Sequence, residues 1–139
     1  MSRILAIDYG LKRSGIAITD PLRLIASGLT SVKTSDLITF LTDYFIEEDV
    51  DLVVIGLPKQ MDNSLSESEP AILKFIAHLQ NKFQDLKIVR HDERFTSKMA
   101  NKAMISGGLK KSKRREKGML DKISAALILQ GYMASIESV

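Results

Sequence analysis

Four carboxylates in this sequence stand where charge is expensive. Asp8 closes the apolar run Ile4-Leu5-Ala6-Ile7, Asp92 and Glu93 close the segment Lys87-Ile88-Val89-Arg90-His91, and Asp121 lies beside Leu120 and close to Ile123. A carboxylate in apolar surroundings must be protonated, paired or bound to a cation. Acids that converge repel one another, and a shared divalent ion is the usual remedy. Each acid also has a plain structural explanation. Asp8 could open a turn with Tyr9-Gly10, Asp92 or Glu93 could pair with Arg94 or Lys98, and Asp121 could serve the dipole of a helix start. Taken one at a time, those explanations are the stronger. Taken together they lose, because no rival catalytic set is present. There is no cysteine, and the histidines are His78 and His91 alone. Both histidines read as surface or structural, and Ser14, Ser64, Thr96 and Ser97 lack a convincing histidine partner. Any metal therefore needs hard oxygen ligands, which points to Mg²⁺ or Mn²⁺ rather than zinc.

Just beyond Asp8, Gly10 and Gly15 flank Leu11, Lys12, Arg13 and Ser14. This is a plain hairpin turn, or a turn whose backbone a phosphate can approach while Lys12 or Arg13 neutralises it. Similar Asp-x-Gly openings occur in sugar kinases and actin-like ATPases. Those proteins are much longer and close two lobes over ATP, which one small lobe cannot do.

The elements that must position these groups can be read from periodicity and punctuation. Arg3 to Asp8 is apolar on both faces, as a strand covered on two sides would be. Gly15 to Thr19 and about Leu24 to Val32 follow as strands, with Asp20-Pro21 as a turn. A helical period then carries Leu37, Leu41, Tyr44 and Phe45, with Thr34, Ser35 or Asp36 as N-cap. Leu52 to Leu57 is a buried strand and Pro58 to Ser66 a polar loop. The next helix is marked by Ile72, Ile76, Leu79 and Phe83, with Glu67, Glu69 and Pro70 suited to its first turn. Lys87 to Asp92 is a fifth strand, less apolar and so nearer an edge. Thr96 can cap a helix through Ser106 that Gly107-Gly108 stops. Lys110 to Lys117 is too polar to pack, and a final helix runs from about Met119 to Ser135. The order βββαβαβαα describes an antiparallel meander extended by parallel strands in a mixed sheet.

The chain has 139 residues, sufficient for one domain over 1–139. Hydrophobic residues make up 45% and charged residues 27%, which is ordinary globular usage. No apolar stretch is long enough to span a bilayer. Asp8 interrupts the N-terminal apolar run too early for a secretory signal, so a cytoplasmic protein without membrane association is expected. Net charge is +3, but Arg90 to Lys122 holds 11 Lys/Arg against 4 Asp/Glu. That segment alone is at +7, and the remainder of the chain is at −4. Such concentration suits a polyanion, although a solvated loop would look similar.

Read in order, Asp8-Tyr9-Gly10, Lys12-Arg13, Gly15-Ile16-Ala17, Val54-Ile55-Gly56-Leu57-Pro58, Met61-Asp62, Asp92-Glu93-Arg94-x-Thr96 and Asp121-Lys122-x-x-Ala125-Ala126-x-Ile128-Leu129 resemble the YqgF/RuvX family over nearly the whole chain. The resemblance implies an α/β, ribonuclease H-like fold, with a five-stranded mixed sheet flanked by helices, related to the Holliday-junction resolvase RuvC. It also implies a nuclease that processes the 5′ end of pre-16S ribosomal RNA. Carried over by position, the acidic set is Asp8, Glu93 and Asp121, acting as catalytic residues and as ligands of one or two Mg²⁺ or Mn²⁺ ions. Leu11, Lys59-Gln60 and Asn63 depart from the family pattern in the loops. Lys12, Arg13, Arg94, Lys110, Lys111, Lys113, Arg114, Arg115 and Lys117 are the expected phosphate contacts, with orientation of Glu93 as an equal alternative for Arg94. Tyr9 is the best-placed aromatic near the site. With few others, recognition is expected to follow backbone shape more than base stacking. Pre-rRNA is the preferred partner, ribosomal particles a further one, and branched DNA the alternative. A junction resolvase needs two coordinated sites and hence a dimer, whereas an RNA-processing enzyme can act as a monomer. A non-catalytic RNA-binding or ribosome-assembly protein is the third reading.

Overall fold

Ile4, Leu5, Ala6 and Ile7 are all buried because helices cover both faces of the strand that carries them. This strand, β1 (Arg3–Asp8), lies at the centre of a five-stranded sheet in a computed structural model that describes residues 2–58, 66–92 and 118–137. The other strands are β2 (Arg13–Thr19), β3 (Ala26–Lys33), β4 (Val50–Leu57) and β5 (Lys87–Asp92). Their spatial order is β3-β2-β1-β4-β5. The pairs β1/β2 and β2/β3 are antiparallel, while β1/β4 and β4/β5 are parallel. The expected meander with parallel additions is therefore what forms, and β5 does stand at an edge.

Alternation along β1 divides the core into two layers. Leu5 and Ile7 face α1 (Leu37–Glu47) and α2 (Glu69–Lys82), packing with Ile16, Ile18, Leu41, Val53, Ile55, Ile72, Phe75 and Leu79. Ile4 and Ala6 face α3 (Met119–Glu137), where Ala17, Leu52, Val54, Ala125, Ile128 and Leu129 complete the second layer. The small residues Ala6, Ala17 and Ala125 bring α3 close to the sheet. Among the described residues no helix is long and apolar enough to cross a membrane.

Several local expectations are corrected. β2 begins two residues before Gly15, because Arg13 and Ser14 already pair with Lys33 and Val32. β3 starts at Ala26 because Leu24 and Ile25 belong to a turn held by Asp20. The Asp20 carboxylate accepts backbone N–H bonds from Ile25 at 2.7 Å and Leu24 at 2.8 Å, and these hold its pKa below the ordinary 3.8. Thr34, Ser35 and Asp36 form a 3₁₀ turn before α1, and the residue preceding the helix makes no side-chain cap bond. Thr34 is committed elsewhere, as described below. Phe83 ends α2 as its C-cap, and Phe75 takes the buried place on that face. Glu69, expected only to favour the helix dipole, is buried in an ion pair with Arg90 at 2.7 Å. The expected loop through residues 59–65 and the helix from Thr96 to Ser106 lie outside the described residues.

Candidate functional site

At the carboxyl end of β1 the register does what the sequence alone could not specify. Asp8 stands opposite Gly15 on β2, and Gly15 stands opposite Ser31 on β3. The three form a row across three strands, on the face that α3 covers. One step further out, Arg13 stands opposite Lys33 on that same face.

The first turn of α3 descends onto the middle of this row. A Cβ at Gly15 would run into the Asp121 carbonyl oxygen and lie 3.0 Å from the Asp121 Cβ. Any side chain there would push the helix off the sheet. The turn that delivers the helix also needs glycine, since Gly118 has φ +84° and a Cβ on it would meet the Ser31 Cβ at 2.8 Å. Cross-strand Cβ positions are about 4.5–5.5 Å apart, which bounds the Asp8 and Asp121 Cβ atoms to within about 8.5 Å of one another. Two aspartates at that spacing can reach one hard cation with oxygen distances of about 2.1 Å.

Asp121 is oriented by two donors that act on one oxygen. Ser31 Oγ donates to Oδ2 at 3.1 Å, and Arg13 Nε donates to the same Oδ2 at 3.2 Å. Oδ1 accepts no hydrogen bond from the described residues. The carboxylate is thus held by one edge while the other remains available to a ligand. The donor set consists of carboxylate oxygens without sulfur, which fits Mg²⁺ or Mn²⁺. Among the described residues there is no cluster of three or more His, Cys, Asp or Glu side chains. Glu93, the third expected acid, lies outside them, one peptide bond beyond the end of β5. Asp92 is described, and strand alternation puts it with Ile88 and Arg90 on the opposite face from Asp8.

The β1–β2 turn that carries Lys12 is fixed by a small closed network. Thr34 Oγ1 donates to the Gly10 carbonyl at 2.5 Å, Ser14 Oγ donates to Thr34 Oγ1 at 2.8 Å, and Gly10 N–H donates to Ser14 Oγ at 3.4 Å. The Thr34 N–H also donates to the Lys12 carbonyl at 2.9 Å. Ser14 is completely buried, so these bonds satisfy a hydroxyl that would otherwise be costly. The result is a rigid ledge beside a cleft of about 720 Å³, lined by Leu11, Lys12, Arg13, Lys33, Ser35 and Asp121. Lys12 and Arg13 are exposed there.

Sequence reasoning missed Ser31 and Lys33. Their signal was present only as hairpin pairing, since aligning β3 against β2 in the correct register sets them beside Gly15 and Arg13. Tyr9 requires a correction: its ring packs on Phe75 at 5.4 Å, in the layer beneath α2 and away from the acids. His91 packs its Nε2 against α3 at Gly131, where an added Cβ would lie 2.7 Å from it. Arg94, Lys110, Lys111, Lys113, Arg114, Arg115 and Lys117 lie outside the described residues.

Comparison with known proteins adds to this geometry. Residues 2–135 match the profile of the RuvX family, described as a Holliday junction resolvase. A Flavobacterium johnsoniae protein named "Putative pre-16S rRNA nuclease" is 54% identical over 135 residues, covering 97% of this chain and 98% of its own length. One of the same name from Christiangramia forsetii is 55% identical over 133 residues, with 96% and 98% covered. Among solved structures, the fowlpox virus resolvase bound to substrate Holliday junction DNA superposes with a TM-score of 0.62 at 16% identity, covering 96% of this chain and 98% of that one. The T. thermophilus RuvC complex with a Holliday junction substrate gives 0.56 at 17% identity, with 98% and 96% covered. At such low identity these structures speak for the fold, which is the expected ribonuclease H-like one.

Proposed function

The chain belongs to the RuvX family, and from that premise we propose that it is a metal-dependent nuclease that hydrolyses phosphodiester bonds in the 5′ region of pre-16S ribosomal RNA. The crossing of α3 over Gly15 carries this reading, because it sets Asp121 beside Asp8 at the end of the central strand. The curated relatives of about half-identical sequence bear names that specify that RNA.

In this reading Asp8, Asp121 and Glu93 hold one or two Mg²⁺ or Mn²⁺ ions. The bound ions supply activation of the attacking water and stabilisation of charge on the leaving oxygen. Ser31 keeps the Asp121 carboxylate turned so that Oδ1 faces the ligand. Lys12 and Arg13 grip backbone phosphates from the rigid β1–β2 ledge. The cluster Lys110, Lys111, Lys113, Arg114, Arg115 and Lys117 adds non-specific attraction to the polyanion. Arg94 either orients Glu93 or contacts phosphate. No protein side chain need act as nucleophile. The work takes place in the cytoplasm, on naked pre-rRNA or on ribosomal particles, and a monomer suffices for it.

The family's own description favours a second reading, cleavage of branched DNA. One experiment separates the readings: wild type, Asp8→Asn and Asp121→Asn are incubated with 5′-extended 16S precursor, a matched DNA strand and a four-way junction in Mg²⁺ and in Mn²⁺. Cleavage of the precursor by wild type, reduced at least about 100-fold in either variant, is expected. Preferential cutting of the junction transfers the assignment to the resolvase reading. RNA binding without cleavage under every metal condition makes the protein a non-catalytic assembly factor.

A further inference from the structure

Arg13 meets Asp121 through a single nitrogen. It sits where a phosphate-gripping cation is needed, yet its Nε is spent on Asp121 Oδ2 at 3.2 Å. The bond uses only the inner nitrogen of the guanidinium. Among the described residues the two terminal nitrogens of Arg13 make no hydrogen bond, and the side chain remains 45% exposed within the cleft shared with Lys12, Lys33 and Ser35. An arginine presents five donors in a flat fork, and a single Nε contact leaves four of them for a second acceptor. Lys33, directly across the β2/β3 ladder, adds a second positive charge at that position.

We infer that Arg13 is an exchangeable counter-ion of the acidic site: it neutralises Asp121 when no divalent ion is bound, opposes metal entry by its charge, and is drawn to the substrate phosphate through its terminal nitrogens. The inference rests on the metal-site reading above and goes beyond it. Its physical content is competition. A fixed positive charge within hydrogen-bonding distance of a metal ligand repels a divalent cation, whereas a phosphate on the outer nitrogens offsets that charge and removes the repulsion. Metal and nucleic acid should therefore bind with positive coupling, and Arg13 should be the residue that couples them. A purely structural Arg13 would act the other way. Losing it would free Asp121 to move and would weaken metal binding.

The test is a Mn²⁺ titration of the intact protein, by loss of the free-ion electron paramagnetic resonance signal, with and without a non-cleavable single-stranded oligonucleotide. Asp121→Asn, Arg13→Gln, Arg13→Lys and the remote charge control Lys82→Gln are compared with wild type. In the absence of nucleic acid, Arg13→Gln is expected to bind Mn²⁺ roughly 3- to 10-fold more tightly, as loss of a unit charge near a divalent ion predicts. Arg13→Lys keeps the charge and should remain within about 2-fold of wild type, as should Lys82→Gln. Adding oligonucleotide should tighten Mn²⁺ binding to wild type and have less effect on Arg13→Gln. Unchanged or weaker binding by Arg13→Gln, with wild type binding normally and Asp121→Asn defective, overturns the counter-ion role and leaves the metal site standing. If wild type and Asp121→Asn bind Mn²⁺ alike, the metal site itself falls, and the counter-ion role with it.

Discussion

A single missing methyl group decides how closely the first turn of α3 approaches the sheet. Gly15 lies between Asp8 on the neighbouring strand and Asp121 on the helix above, and the Asp121 backbone occupies the space a side chain would need. Gly15→Ala should cost about 1–3 kcal/mol, since the clash is with backbone rather than with the end of a flexible side chain. It should also weaken Mn²⁺ binding by displacing the first turn of α3. Gly28, whose added Cβ would be 3.1 Å from Lys122, supplies the comparison, because an approach of that length can relax. Urea unfolding of Gly15→Ala and Gly28→Ala checks the ranking, and equal losses would show that α3 does not depend on Gly15 for its seat. Asp8 at a strand end and Asp121 near a helix start were legible as costly acids. That a glycine joins them was not, because the juxtaposition spans more than a hundred residues of sequence.

The elements α2, β4 and β5 are anchored by a polar clamp as well as by their apolar faces. Arg90 on β5 donates to both oxygens of Glu69, at 2.7 and 3.0 Å, and to the carbonyls of Ile55 and Gly56 at the end of β4. One guanidinium thereby ties the start of α2 to two strand ends beside the site. Glu69 is only 8% exposed, so removing it strands a largely buried arginine. Glu69→Ala should therefore cost about 3–5 kcal/mol in thermal or urea unfolding. Glu48→Ala, which breaks the more exposed pair with Arg3, should cost about 1 kcal/mol or less. Replacing both Glu69 and Arg90 by Met should recover much of the loss, and failure to do so would mean that the Arg90 bonds to the β4 carbonyls dominate. Helix periodicity exposed α2 in the sequence. It could not distinguish a first-turn acid serving the dipole from one buried against a strand that follows the helix.

At the scale of the whole molecule, charge is divided between an acidic body and a basic segment. Arg90 to Lys122 carries +7 in a protein of net charge +3, so the positive charge available to a polyanion is concentrated in that stretch. Replacing Lys110, Lys111, Lys113, Arg114, Arg115 and Lys117 by Gln should weaken RNA binding and flatten its dependence on salt. The log–log slope should fall by about 0.7 for each phosphate that the segment neutralises in the wild type. Filter binding across a series of salt concentrations measures both quantities, and an unchanged slope would remove the segment from the interface. Lys12, Arg13 and Lys33 form a second, smaller set beside Asp121. In the proposed nuclease, attraction over distance and alignment at the acids fall to different parts of the chain.

The sequence by itself determined the described elements and their order. Four consecutive apolar residues in β1 can be buried only if both faces are covered, and the alternation, helical periods and turn residues that follow are local signals. The motifs Asp8-Tyr9-Gly10, Asp92-Glu93-Arg94 and Asp121-Lys122 likewise carried the family. Tertiary structure alone decided register and packing direction: that Ser31 and Lys33 face the site, that Tyr9 and Asp92 turn away from it, that Thr34 ties a turn instead of capping a helix, and that Arg13 reaches Asp121. A strand slipped by one residue would keep almost every local preference and exchange the two faces. Only burial of both core layers at once selects among those registers, and it is a property of the assembled sheet.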